Sequence, residues 1–134
     1  MPIRFDMCEK KPDIRALILV VEDEALVRMM LVDVLDDAGF KVMEAAHADE
    51  ALHILAAAPD VQVVVTDGEM PRGSINGFEL ARRVRDDRQD IGVVIASGRV
   101  APTAGDLPEG AYFVEKPVRL ERLLELIRAL LHDG

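Results

Sequence analysis

Three nearly continuous runs of aliphatic, mostly β-branched residues constrain this chain most: Leu17–Val21, Val61–Thr66 and Val93–Ala96. A strand with one wet face would alternate, so unbroken runs suit strands covered on both faces, as in the middle of a parallel sheet. The third run extends back to a strand over Ile91–Ala96, Phe40–Ala45 reads as another, and the shorter aromatic run Ala111–Val114 as a fifth. Between the strands the apolar period changes to that of a helix. Val27, Met30, Leu31, Val34, Leu35 and Ala38 mark a helix of about four turns stopped by Gly39. Asp49–Ala58, with Leu52, Leu55 and Ala56, marks a second, ended by Pro59. Phe78, Ala81 and Val84 mark a third starting at Gly77, and Leu120, Leu123, Leu124, Ile127, Leu130 and Leu131 the last.

Strands alternating with helices predict an α/β fold, a doubly wound five-stranded parallel sheet with right-handed crossovers. The flavodoxin-like order 2-1-3-4-5 puts the switch point between strands one and three. Pro102, Gly105 and Pro108 crowd the connection between strands four and five, so the fourth helix is expected to be short or absent.

With 134 residues, half of them apolar, the chain suits one domain burying about two-thirds of its unfolded surface. We place that domain at 16–134, after an N-terminal extension over 1–15. The longest apolar run, Ala16–Val21, is far below the roughly 20 residues of a membrane span, and the N-terminus lacks the apolar stretch of a secretory signal. A cytoplasmic protein is expected. Cys8 is the sole cysteine, which excludes an intramolecular disulfide and a thiolate zinc cluster. The net charge of −9 opposes nucleic acid phosphates and anionic lipid, and Arg82, Arg83, Arg85 and Arg88 read as a solvated helix face.

The strand-like runs end in polar residues: Glu22 and Asp23, then Asp67, Ser97 and Lys116. In open parallel sheets ligands bind at these carboxyl ends. Carboxylates gathered there repel one another unless a cation joins them, and Mg2+ prefers such hard oxygens. Asp23 and Asp67 would ligate directly, Glu22 through water, and the carbonyl of Glu69 lies within reach. Asp67 is suited to attack phosphorus as a nucleophile, Lys116 to offset phosphoryl charge and Ser97 to donate a hydroxyl hydrogen bond. Each residue also has a plainer reading: acidic complement to a helix N-terminus, a turn at Asp67-Gly68 or Ser97-Gly98, a strand exit at Lys116-Pro117. Their joint occurrence, in order, at successive strand ends favours a site.

Val20-Val21-Glu22-Asp23-Glu24, Val64-Val65-Thr66-Asp67-Gly68-Glu69-Met70-Pro71, Ile95-Ala96-Ser97-Gly98 and Glu115-Lys116-Pro117 together resemble the receiver domain of bacterial two-component response regulators, from about Ala16 to Leu131. The resemblance implies that Asp67 takes a phosphoryl group from a sensor histidine kinase or histidine phosphotransfer protein, with Mg2+ held by Asp23, Asp67 and the Glu69 carbonyl. It makes Ser97 the switch hydroxyl and Phe113, three residues before Lys116, the switch aromatic, with Tyr112 beside it. Glu69 and Arg99 fall at variable positions that tune phosphoryl lifetime. Two features depart from the pattern: a longer segment from Pro71 to Gly77, and the eroded fourth helix, which moves the expected contacts with an unknown downstream protein to the last helix and the loop Arg99–Glu109. Such a protein is a signalling phosphoacceptor and not an enzyme beyond its own phosphorylation and dephosphorylation. The rivals are a receiver-like docking module without phosphotransfer and a Mg-dependent phosphohydrolase, which would carry a second Asp where this chain has Glu69. A flavin-binding protein of similar layout would need a phosphate-welcoming loop where Glu22-Asp23-Glu24 stands. No direct nucleic acid or membrane contact is expected, and dimerisation through the last helix stays open.

Overall fold

The computed structural model describes residues 15–70, 74–98 and 107–133. Strands β1 (Leu17–Val21), β2 (Lys41–Ala45), β3 (Val61–Asp67), β4 (Gly92–Ser97) and β5 (Ala111–Glu115) alternate with helices α1 (Ala25–Asp37), α2 (Ala48–Ala57), α3 (Gly77–Asp87) and α4 (Leu120–Asp133). The strands form one sheet in the order β2-β1-β3-β4-β5, every pair parallel, as expected for a doubly wound flavodoxin-like fold. Residues 1–14 and 99–106, which hold the N-terminal extension and the expected short or absent fourth helix, lie outside the described residues.

Alternation along each strand divides the core in two. Leu19, Val21, Val64, Val93 and Ile95 face one layer, where α2 and α3 contribute Ala51, Leu55, Leu80 and Val84. Ile18, Val20, Val63, Val65 and Val94 face the other, against Leu31 and Leu35 of α1 and Leu123 and Ile127 of α4. Both faces are therefore covered, which is why the central strands carry no alternation in their sequence. Among the described residues no helix is long and apolar enough to cross a membrane.

Where element boundaries differ from the sequence reading, local bonds account for the shift. Phe40 drops out of β2 because its N–H closes the end of α1 on the Leu35 carbonyl at 3.1 Å. The start of α2 is fixed by a reciprocal cap: His47 Nδ1 accepts from the Glu50 N–H at 3.2 Å, while the Glu50 carboxylate accepts from the Ala46 N–H at 2.7 Å. Asp67 and Ser97 fall inside β3 and β4 rather than just after them, in register with Ala96 and Glu115. Their side chains thus leave from hydrogen-bonded sheet.

The expected solvated arginine face holds for only half of its members. Arg82 and Arg83 are exposed and pair with Glu79. Arg85 instead donates to the carbonyls of Glu109, Gln89 and Ile91 at 2.6, 2.8 and 2.6 Å, and Arg88 to that of Pro59 at 2.8 Å. These two bind the chain turns at the amino ends of the strands, where backbone carbonyls lack ladder partners. Gly110 permits this: its φ is +87°, and a Cβ there would lie 2.2 Å from the Arg85 guanidinium carbon.

Candidate functional site

At the carboxyl end of the sheet, the exits of β1 and β3 bring Glu22, Asp23 and Asp67 together, with one carboxylate oxygen of each within 4.8 Å of the others. Glu22 and Asp67 are buried, at 4% and 6% exposure. Lys116, at the exit of β5, donates from Nζ to Asp67 Oδ1 at 2.8 Å. The Glu69 N–H donates to the same oxygen at 3.2 Å, folding the turn back over the carboxylate. Ser97, buried at the end of β4, donates its hydroxyl to the Glu69 carboxylate. Phe113 is half-buried on β5, paired with Ile95. Glu22, Asp23, Asp67, Glu69, Ser97 and Lys116 thus converge, Phe113 stands on the adjoining strand, and Arg99 lies outside the described residues.

The backbone holds these exits by bonds between elements. The Glu22 N–H donates to the Ala45 carbonyl at 3.0 Å, and the Glu24 N–H to the Glu22 carboxylate at 3.0 Å. Gly68 donates to the Ala96 carbonyl at 2.8 Å, and Gly77 to the Gly68 carbonyl at 3.0 Å. The last contact requires glycine, because a Cβ on Gly77 would lie 2.0 Å from the Asp67 carbonyl oxygen. Asn76 caps the helix that begins there, accepting from the Glu79 N–H at 2.9 Å. Lys116 donates its N–H to the Ser97 carbonyl at 3.0 Å, so the lysine and the serine share one rung of the sheet.

Burial drives Glu22 up to a pKa of about 7; the Glu24 N–H opposes the shift and the Asp67 charge adds to it. Burial alone would depress Lys116, but its hydrogen bond to Asp67 and the charges of Asp67, Glu22 and Glu69 hold it above its ordinary value. Among the described residues the three carboxylates therefore share a single adjacent ammonium and remain short of positive charge. That donor set, all oxygen and two-thirds buried, suits a hard divalent cation such as Mg2+.

A cleft of about 290 Å3 opens beside the carboxylates, with Val27, Met30, Leu31, Pro117 and Leu120 in its wall along with Glu22 and Asp67. A larger open cleft of about 550 Å3 lies at the opposite end of the sheet around Arg15, Lys41 and Asp90. Among the described residues it holds no such convergence of buried groups, so the smaller cleft is the functional candidate.

Two interactions escape the sequence reading. The Glu69 side chain engages Ser97, although only its carbonyl and its variable position drew notice. Arg28 donates to the Glu22 carbonyl at 2.6 Å. Its sole signal is a cation one helical turn beyond an acidic turn, which solvated helix faces also produce.

The model of the response regulator receiver domain matches residues 18–128. The sensor kinase CckA of Brucella abortus is 36% identical over 129 residues, taking in 92% of this chain and 13% of that protein. The two-component response regulator ORR11 of Oryza sativa subsp. indica is 34% identical over 107 residues, 76% of this chain and 71% of that protein. Among solved structures, a response regulator receiver protein from Sinorhizobium medicae superposes with a TM-score of 0.82 at 27% identity, covering 89% of this chain and 96% of its own.

Proposed function

This chain belongs to the response regulator receiver domain family, and we propose that within it Asp67 is the phosphoacceptor, supplied by the phosphohistidine of a sensor histidine kinase or a histidine phosphotransfer protein. The observation that carries this reading is the buried Asp67 carboxylate, 2.8 Å from the Lys116 ammonium and with an oxygen within 4.8 Å of those of Glu22 and Asp23. In the transfer an Asp67 carboxylate oxygen attacks phosphorus, the phosphorus–nitrogen bond breaks, and the imidazole leaves with the electron pair. The product is an acyl phosphate on Asp67.

Asp23, Asp67 and the Glu69 carbonyl, with Glu22 through water, would hold Mg2+, which when bound would supply charge neutralisation for the phosphoryl oxygens. Lys116 adds a fixed positive charge on the other side. The Ser97 hydroxyl leaves Glu69 and turns to the phosphoryl group, and Phe113 on the neighbouring strand follows it, which biases a two-state equilibrium. Met30, in the wall of the cleft, and Leu26 and Met29 on the same helix are exposed and favour a protein donor over a small one, because they offer apolar area to cover. The domain extends over 16–134, with 1–15 as an extension and cytoplasmic signalling as the setting. Downstream contacts use α4 and the Arg99–Glu109 loop, and Glu69 and Arg99 set the phosphoryl lifetime.

Incubation with acetyl phosphate or phosphoramidate and Mg2+, followed by intact mass, tests the reading. A gain of one phosphoryl group that Asp67→Asn abolishes is expected. No gain in the wild type would make the chain a docking module instead.

A further inference from the structure

We propose that Arg28 is a positioning residue for the Mg2+ site, acting through the peptide that joins Glu22 to Asp23; this rests on the reading of the acidic trio given above. Arg28 closes the first turn of α1, and its Nη1 donates to the Glu22 carbonyl oxygen at 2.6 Å. Its Nε donates to the Glu44 carboxylate on β2 at 3.2 Å, with the arginine side chain only 20% exposed. The Glu22 N–H is meanwhile held by the Ala45 carbonyl on the same strand β2. Both peptides flanking Glu22 are therefore fastened, one by the sheet and one by Arg28.

The Glu22 carbonyl belongs to the planar unit that also contains the Asp23 N–H. Gripping that oxygen fixes the rotation of the plane from which the two acidic side chains depart. The other bonds on this turn hold the Glu22 N–H and the Glu24 N–H, and the N-cap residue of α1, Glu24, adds no side-chain cap bond, so Arg28 is the group that grips the Glu22–Asp23 peptide by its carbonyl. The guanidinium fork suits the task, since separate nitrogens reach the carbonyl and the carboxylate together. Lysine offers a single nitrogen.

Positioning and plain electrostatics predict opposite signs. A cation close to a cation-binding site repels the ion, so removing the Arg28 charge would tighten Mg2+ binding if charge were all that mattered. If position dominates, removal weakens it.

The test is the Mg2+ dissociation constant of the full chain at constant ionic strength, read from amide chemical shifts well below the melting temperature. Arg28→Met, which keeps the apolar stem, is expected to weaken binding about tenfold, the scale of losing one charge-assisted hydrogen bond. Arg28→Lys, which keeps the charge and one donor, is expected to restore most of it, to within about threefold of wild type. Phosphoryl uptake by Arg28→Met from acetyl phosphate should return toward the wild-type rate at saturating Mg2+. Affinity of Arg28→Met equal to or tighter than wild type overturns the proposal, whatever the melting temperature does. If that variant does not fold, Arg28→Gln, uncharged and shorter, decides: weaker Mg2+ binding than wild type supports the proposal, and equal or tighter binding overturns it. A wild-type chain that binds no Mg2+ removes the reading of the site and the proposal together, whereas wild-type binding with an unaffected Arg28→Met removes the proposal alone.

Discussion

The Ser97 hydroxyl donates to the Glu69 carboxylate across the mouth of the site, so two of the residues expected to surround the phosphoryl group hold each other. On the proposed function an incoming phosphoryl group would have to part them, and it would also meet the negative charge of Glu69. Glu69→Ala should therefore accept phosphoryl from acetyl phosphate roughly threefold to tenfold faster than wild type, the scale of one charged hydrogen bond. The rate of mass gain under saturating Mg2+ measures this, and an unchanged or slower rate would refute it.

Lys116 is the ammonium bonded to Asp67 in a pocket of three carboxylates. Lys116→Met should lower the stability of the metal-free chain by about 2 kcal/mol, less than for a fully buried pair because the lysine side chain is a third exposed. Urea denaturation in a chelator reads the loss, and Mg2+ should recover part of it. Combining it with Asp67→Asn should cost less than the two single changes added together.

Glu22 provides the pH dependence. Its pKa is raised from 4.5 to about 7 in the metal-free protein, chiefly by burial. Between those values the folded chain binds more protons than the unfolded one, so this residue's contribution to stability falls as pH rises and levels off above about 7. Glu22→Gln removes the penalty. Unfolding free energies from urea denaturation in a chelator should be similar for both chains near pH 4.5 and diverge in favour of the variant toward pH 7, by on the order of 2 kcal/mol. Mg2+ binding by the wild type should strengthen over the same interval, with proton release.

Gly77 supplies a steric test. Alanine there must push the start of α3 off the Asp67 carbonyl. The overpacking should cost about 1–3 kcal/mol and weaken Mg2+ binding as well. Gly98→Ala is the control: among the described residues the nearest atom to its Cβ is 3.5 Å away, on Lys116, so stability should change far less.

The sheet was legible because strands buried on both faces cannot hide: Val63, Val64 and Val65 point to opposite layers and are all apolar. The acidic groups and Lys116 were legible because each stands at the end of such a run. What escaped depends on contacts between segments distant in sequence. Arg85 and Arg88 carry the same residue type as Arg82 and Arg83, and only the folded chain brings carbonyls of Glu109 and Pro59 to the former pair. Arg28 and Glu69 were obscure for the same reason: their partners are a backbone oxygen and a hydroxyl whose positions the tertiary fold decides.

The Gly77 N–H on the Gly68 carbonyl and Ser74 on the Asp49 carboxylate, at 2.6 Å from its hydroxyl, tether the chain on the α3 side of the β3–α3 crossover, while β3 and the Gly68 N–H on Ala96 fix the other side. Asp67 is thereby anchored from two sides by bonds that end on different elements, so a substitution that cuts one tether leaves the other to hold the carboxylate.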